Sequence, residues 1–183
     1  LEHPCQALAD FLTIKEEFGG FEELVLSFVG DGNNVANSLI LCGAILGIEV
    51  RIACPKGFKP NKEILNKAFE IDPNNKIVIT HDPEEACFNS NILYTDVWSS
   101  MGEEDDKDNK DKSFAGYSID NILLKKAKKD AIVLHCLPAY RGKEITDEVI
   151  ESQNSRVFEQ AENRLHVQQA LLATLFSEQL AKE

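Results

Sequence analysis

"LVLSFVGDGNNVANSLILCGAILG", residues 24–47, holds a strand, a turn and a helix in one line. Residues 24–30 form a short apolar run of the kind a sheet buries on both faces, and residues 34–47 carry the pattern of the helix that follows. Between them "GDGNN" supplies Gly30 and Gly32, and a glycine-bearing turn that opens a helix presents backbone N–H groups to anions. A dinucleotide fingerprint would place a third glycine where Val35 stands, so a nicotinamide site is weakly supported. A tight turn alone explains the glycines. It does not explain consecutive Asn33 and Asn34, whose amides both donate and accept.

The same alternation continues outward. "EVRIAC" (49–54) predicts a second strand, followed by a helix over "PNKEILNKAFE" (60–70) with Pro60 in its first turn. "KIVIT" (76–80) predicts a third strand, and "DPEEA" (82–86) has the order of an N-cap, a first-turn proline and a capping acid. "NILYTDVW" (91–98) and "AIVLHC" (131–136) complete the set. Strands apolar on both faces and separated by helices predict an α/β fold: a doubly wound, Rossmann-like parallel sheet of about five strands, helices on both faces. In such folds ligands sit beyond the carboxyl ends of the strands, near the switch in strand order. The chemically loaded segments fall there: "GDGNN", "DVWSSMG" (96–102) and "HCLPAYRG" (135–142). The second and third strands end in the plainer "CPKG" and "THDP".

Two helical segments frame the sheet. Residues 3–19 put Leu8, Phe11, Leu12 and Phe18 on an expected apolar face, and residues 159–180 predict a long amphipathic helix. Helices that flank an α/β unit often cross to a second domain, and the abrupt start at Leu1 leads us to expect further chain upstream. With 183 residues, 43% of them hydrophobic, the chain can bury one good core. A net charge of −12 argues against nucleic acid or an anionic membrane as main partner. No apolar run approaches the roughly 18 residues of a membrane span, and no secretory signal opens the chain. The odd number of scattered cysteines leads us to expect free thiols in a reducing, cytoplasmic setting.

The five cysteines are scattered without a C-x-x-C pair, which suggests neither zinc nor a redox couple. Most read as packing residues. Cys136, at a strand end, would be reactive if neighbouring cations lowered its pKa. The acidic residues Glu103, Glu104, Asp105, Asp106, Asp108 and Asp111 read as a solvated loop, though a long loop directly after "SSMG" is also what a lid looks like. "LKKAKKD" (124–130) reads as a solvated helix face. His3 and Gln6 share a helix face at their spacing of three. Arg164 sits among apolar residues, where an unpaired guanidinium would be costly.

Taken together, "HPCQALADFLTI", "GDGNNVANS", "DVWSSMG", "HCLPAYRGKEITDEV" and "VFEQAENRLHVQQALL" resemble the ornithine carbamoyltransferase family, in the family's order and over nearly the whole chain. The resemblance is to the ornithine-binding half of such an enzyme. The serine-threonine-arginine-threonine loop that cradles phosphate in the other half is absent from these residues. It implies transfer of a carbamoyl group from carbamoyl phosphate to the δ-amine of L-ornithine, giving citrulline and phosphate, with no metal or organic cofactor. By the same resemblance His3, Gln6 and Arg164 would contact the carbamoyl group, and Cys136 and Leu137 would sit where carbamoyl phosphate meets the amine. Asn34 and Asp96 would hold the amino-acid end of ornithine, and Ser100 and Met101 would belong to a closing loop. Residues 1–183 would then be one domain, inactive alone, whose terminal helices cross to an N-terminal carbamoyl-phosphate domain, with a trimer expected of the full-length enzyme. Alternatives are a carbamoyltransferase for putrescine, acetylornithine or aspartate, and a dinucleotide-binding or noncatalytic module of the same fold.

Overall fold

A computed structural model describes residues 1–98 and 107–180. Five parallel strands lie in the order β3-β2-β1-β4-β5: β1 Val25–Val29, β2 Glu49–Ala53, β3 Ile77–Thr80, β4 Ile92–Thr95 and β5 Ile132–His135. The predicted doubly wound α/β sheet is therefore what forms. The order reverses between β1 and β4, which opens a crevice at their carboxyl ends.

Alternation along the strands fills two cores. One face carries Leu26, Phe28, Val50, Ile52, Ile92, Tyr94, Ile132 and Leu134 beneath α1 (Pro4–Phe18), α2 (Asn34–Leu46) and α3 (Lys62–Ile71). The other carries Val29, Ala53, Leu93 and Val133 against α4 (Pro83–Cys87), α6 (Asn121–Leu124) and α7 (Asp147–Ile150). Burying both faces is why these strands read as unbroken apolar runs. α5 (Lys107–Ser113) precedes α6, and α8 (Val157–Leu180) returns across β5 to pack along α1.

Several boundaries move for local reasons. α3 begins at Lys62, not at Pro60, because Asn61 caps it by accepting from the Glu63 N–H at 2.7 Å. β4 stops at Thr95: the Asp96 carboxylate accepts from the Val97 N–H at 2.7 Å and turns the chain out of the ladder. The basic run 124–130 follows the end of α6 instead of forming a helix face. Part of the acidic run is helical in α5, and Asp111 pairs with Lys143 at 2.5 Å.

The largest departure is in α1. Leu8 is exposed, whereas Gln6, Asp10 and Thr13 are buried. That face is polar because it meets a polar face of α8: Asn163 donates to Thr13 at 2.9 Å and to Glu16 at 2.7 Å, and Gln160 reaches Asp10. Buried polar groups are tolerated when paired in this way.

Gly32 shows why the first turn needs a residue without a Cβ. A methyl there would fall 2.3 Å from the Pro60 nitrogen and 2.4 Å from the Lys59 carbonyl carbon. Its own N–H donates to Phe58 O at 2.9 Å, so the two loops cannot separate freely. Gly32→Ala is expected to destabilise the fold by about 1–3 kcal/mol, read as a lower urea midpoint at unchanged slope. An unchanged midpoint would mean that the loops part without penalty.

Candidate functional site

Three strand ends meet at the crevice. After β1, the Asn33 side chain accepts from the Val35 and Ala36 N–H groups at 3.0 and 3.1 Å, capping α2. The same side chain donates through Nδ2 to Asp96, beyond β4, at 2.7 Å. The other Asp96 oxygen accepts from the Cys136 thiol, beyond β5, at 2.9 Å. One carboxylate thus ties all three loops together. Asn34 opens α2 and is exposed.

This arrangement corrects the expectation of a reactive thiol. Burial, and then the adjacent Asp96 carboxylate, push the Cys136 pKa far above the usual thiol range. Cys136 is a protonated hydrogen-bond donor, not a nucleophile, because its nearest charge is negative. The capped start of α2 also disfavours the dinucleotide reading. The amides that a pyrophosphate would need are taken by Asn33, and Val35, in the place of a third glycine, is buried in the core.

Beyond Cys136 the chain makes a sharp turn. Leu137 is partly exposed in the left-handed region at φ 58° and precedes a cis bond to Pro138. Its N–H donates to His135 Nδ1 at 2.9 Å, so that nitrogen is unprotonated, and Nε2 faces the buried Glu144 at 3.2 Å. Ligand-type atoms of Asp96, His135 and Cys136 lie within 4.8 Å of one another, but each already serves a protein partner. Arg141 faces solvent, paired with Asp147 at 2.9 Å and Glu151 at 2.5 Å.

The terminal helices bring the remaining groups. His3 is not on the α1 face with Gln6; it precedes the helix, and its carbonyl accepts from the N–H groups of Gln6 and Ala7. Its N–H donates to Ser38 at 2.7 Å, which pins the start of α1 beside α2. Its pKa is lowered, first by burial and then by Arg164, while Asp96 acts the other way. Those influences place His3, Arg164 and Asp96 in one electrostatic neighbourhood. From α8, Arg164 Nη1 donates to Gln6 Oε1 at 2.5 Å, and its buried Nε has no partner among the described residues. Among the described residues Arg164 makes no salt bridge, so the predicted cost of an unpaired guanidinium is left standing in the fold. Ser100 and Met101 lie outside the described residues.

Sequence reasoning missed Asp10, Tyr94, Gln160 and Glu144. A signal did exist for Asp10: a carboxylate four residues after Gln6 breaks the supposed apolar stripe of α1. A hollow of about 360 Å³ bordered by Glu17, Asp130 and Arg156 lies at the opposite edge of β5. Lys129 also lines it, and Glu17 and Arg156 pair with each other at 2.6 Å.

The family model for the aspartate/ornithine carbamoyltransferase Asp/Orn binding domain matches residues 22–175. The chain belongs to that family. An ornithine carbamoyltransferase from Prochlorococcus marinus (strain MIT 9312) is 68% identical over 97% of the chain, which spans 58% of that protein's length. Among solved carbamoyltransferase structures, that of the anabolic ornithine carbamoyltransferase of Campylobacter jejuni superposes with a TM-score of 0.91 at 43% identity, covering 97% of this chain and 60% of the other. The ornithine carbamoyltransferase of Gloeobacter violaceus gives 0.87 at 48%, covering 95% and 59%. No helix among the described residues is long and apolar enough to cross a membrane.

Proposed function

We propose that this chain is the ornithine-binding domain of an ornithine carbamoyltransferase, which transfers the carbamoyl group of carbamoyl phosphate to the δ-amine of L-ornithine to give L-citrulline and phosphate. The observation that carries this is the buried Nε–H of Arg164, without a partner among the described residues, on a guanidinium that donates to Gln6 and acts on His3 together with Asp96. A guanidinium with an unused donor suits a carbonyl oxygen that becomes an oxyanion, whereas a carboxylate suits the ammonium of an amino acid.

In this reading Asp96 and Asn34 hold the amino-acid end of ornithine, and Cys136 and Leu137 flank the reacting amine. The uncharged δ-amine attacks the carbamoyl carbon and a tetrahedral oxyanion forms. Arg164 and His3 face that oxygen, and the Gln6 carbonyl accepts from the carbamoyl N–H₂. The C–O bond to phosphate then breaks as the proton of the amine passes to the departing phosphate. No organic cofactor or metal enters these steps.

The half-covered α8 supports a second domain. Beyond Arg164 it exposes Leu165, Leu171, Leu172, Leu175 and Phe176. We assign this stripe, with α1, to contact with a carbamoyl-phosphate-binding domain, in an enzyme that works as a trimer in the cytoplasm. Catalysis then belongs to the complete gene product. That protein is expected to form citrulline from carbamoyl phosphate and ornithine, and residues 1–183 alone are expected not to. Turnover with putrescine, acetylornithine or aspartate in place of ornithine would overturn the substrate, and turnover with none would overturn the enzyme.

A further inference from the structure

At the seam between α1 and α8 lies a carboxylate that the reaction above does not use. Asp10 is fully buried, and its Oδ1 accepts from Gln6 Nε2 at 2.7 Å and from Gln160 Nε2 at 2.5 Å. Gln160 Nε2 also reaches the Tyr94 hydroxyl at 3.1 Å, and Gln160 Oε1 accepts from the His135 N–H at 3.0 Å. Gln6 Oε1 accepts from Arg164.

A glutamine amide can turn over with almost no change in shape, so only its partners decide which end points where. For Gln6 those partners are unambiguous. The ionised Asp10 carboxylate accepts only, so it requires the –NH₂ end. Arg164 donates only, so it requires the carbonyl. Turning the amide over would set donor against guanidinium and oxygen against carboxylate.

We propose that Asp10 is a positioning residue that fixes Gln6 with its carbonyl oxygen on the Arg164 side, so that beside that guanidinium the site offers an acceptor to the –NH₂ of a carbamoyl group. The proposal rests on the carbamoyltransferase reading of Gln6 and Arg164. The same carboxylate holds Gln160, and through it the His135 N–H at the base of the Cys136 turn. A single buried charge therefore sets groups on α1, α8 and β5. Its consequence is discrimination: an acyl phosphate with a methyl in place of the –NH₂ has nothing to donate to Gln6.

Asp10 faces Gln6 on its own helix, Cys42 from α2, Tyr94 from β4, Cys136 after β5, and Gln160 and Arg164 from α8. Burial raises its pKa to about 7, against the hydrogen bonds of Gln6, Gln160 and Tyr94 and the charge of Arg164. The orientation it enforces is therefore strongest above neutrality.

The test uses the complete gene product and follows citrulline formation. Asp10→Leu removes the acceptor and is expected to raise the KM for carbamoyl phosphate about tenfold, the effect of one hydrogen bond, while the KM for ornithine stays put. A general loosening of the fold would lower kcat without separating the two substrates. Asp10→Asn guards against a leucine variant that fails to fold. Its carbonyl can still accept, so its carbamoyl phosphate KM should match wild type at pH 6, where Asp10 is protonated, and exceed it several-fold at pH 8. An Asn-to-wild-type ratio that is flat with pH, or a leucine variant whose two KM values move together, would overturn the proposal. Absence of citrulline from the wild-type protein would strike the underlying reading instead.

Discussion

Replacing Arg164 by alanine in the complete gene product is expected to lower kcat for citrulline formation by about two to three orders of magnitude, the loss typical of one preorganised donor to a developing oxyanion. Among the described residues Arg164 donates to Gln6 and keeps a buried Nε–H unspent, which suits a group that receives a ligand. Lysine at this position should recover little, because an ammonium cannot present two donors in a fixed plane. A second signature follows from charge. Arg164 is one of the influences that lower the His3 pKa, so its removal should move the His3 pKa upward, read by NMR titration of the imidazole. A variant with normal kcat would remove Arg164 from the chemistry. An unmoved His3 titration would remove Arg164 from the charges that act on His3.

The second large effect concerns stability. The folded Asp10 titrates near 7 against an ordinary value near 4, and burial is the main reason. A carboxyl that holds its proton more tightly when folded favours the folded state in acid. Its contribution is complete below about pH 4 and is lost as pH rises through 7, where the buried group must ionise. The urea midpoint of residues 1–183 should therefore fall between pH 5 and pH 8, and Asp10→Asn should remove most of that fall. The difference amounts to a few kcal/mol at pH 8, with the Asn variant the more stable. Equal midpoint-against-pH slopes for the two proteins would show that Asp10 is charged at no penalty. The positioning role and this penalty have one cause, since a carboxylate ionised in the core orients amides firmly because it is poorly solvated.

Much of the architecture was legible from the chain. The apolar strands, the turn at Gly30 and Gly32 and the N-cap at Asp82 are local features, and local rules place them. The site's position was legible because parallel α/β sheets gather ligands at one edge. What escaped prediction depends on partners distant in sequence. Leu8 and Asp10 exchange their expected burial because Gln160 and Asn163 meet α1 from about 150 residues away. The raised pKa of Cys136 follows from its burial and then from Asp96, forty residues earlier, and no reading of "HCLP" alone contains either. Asn33 was visible as a donor and acceptor, but its double use as cap and as clamp on Asp96 needed the crevice to be closed.

The meeting of α1 with α8 also orders the events of synthesis. A ribosome delivers Asp10 early and Gln160 late, and Arg164 reaches Gln6 across 158 positions. Until α8 emerges, the Asp10 carboxylate has no lid over it and stays hydrated. β1, β2, β3 and β4 can pair in the meantime, through contacts of shorter span. The nascent chain thus builds its scaffold first and assembles its reactive edge at the last step, so an incomplete copy carries a sheet without a working crevice.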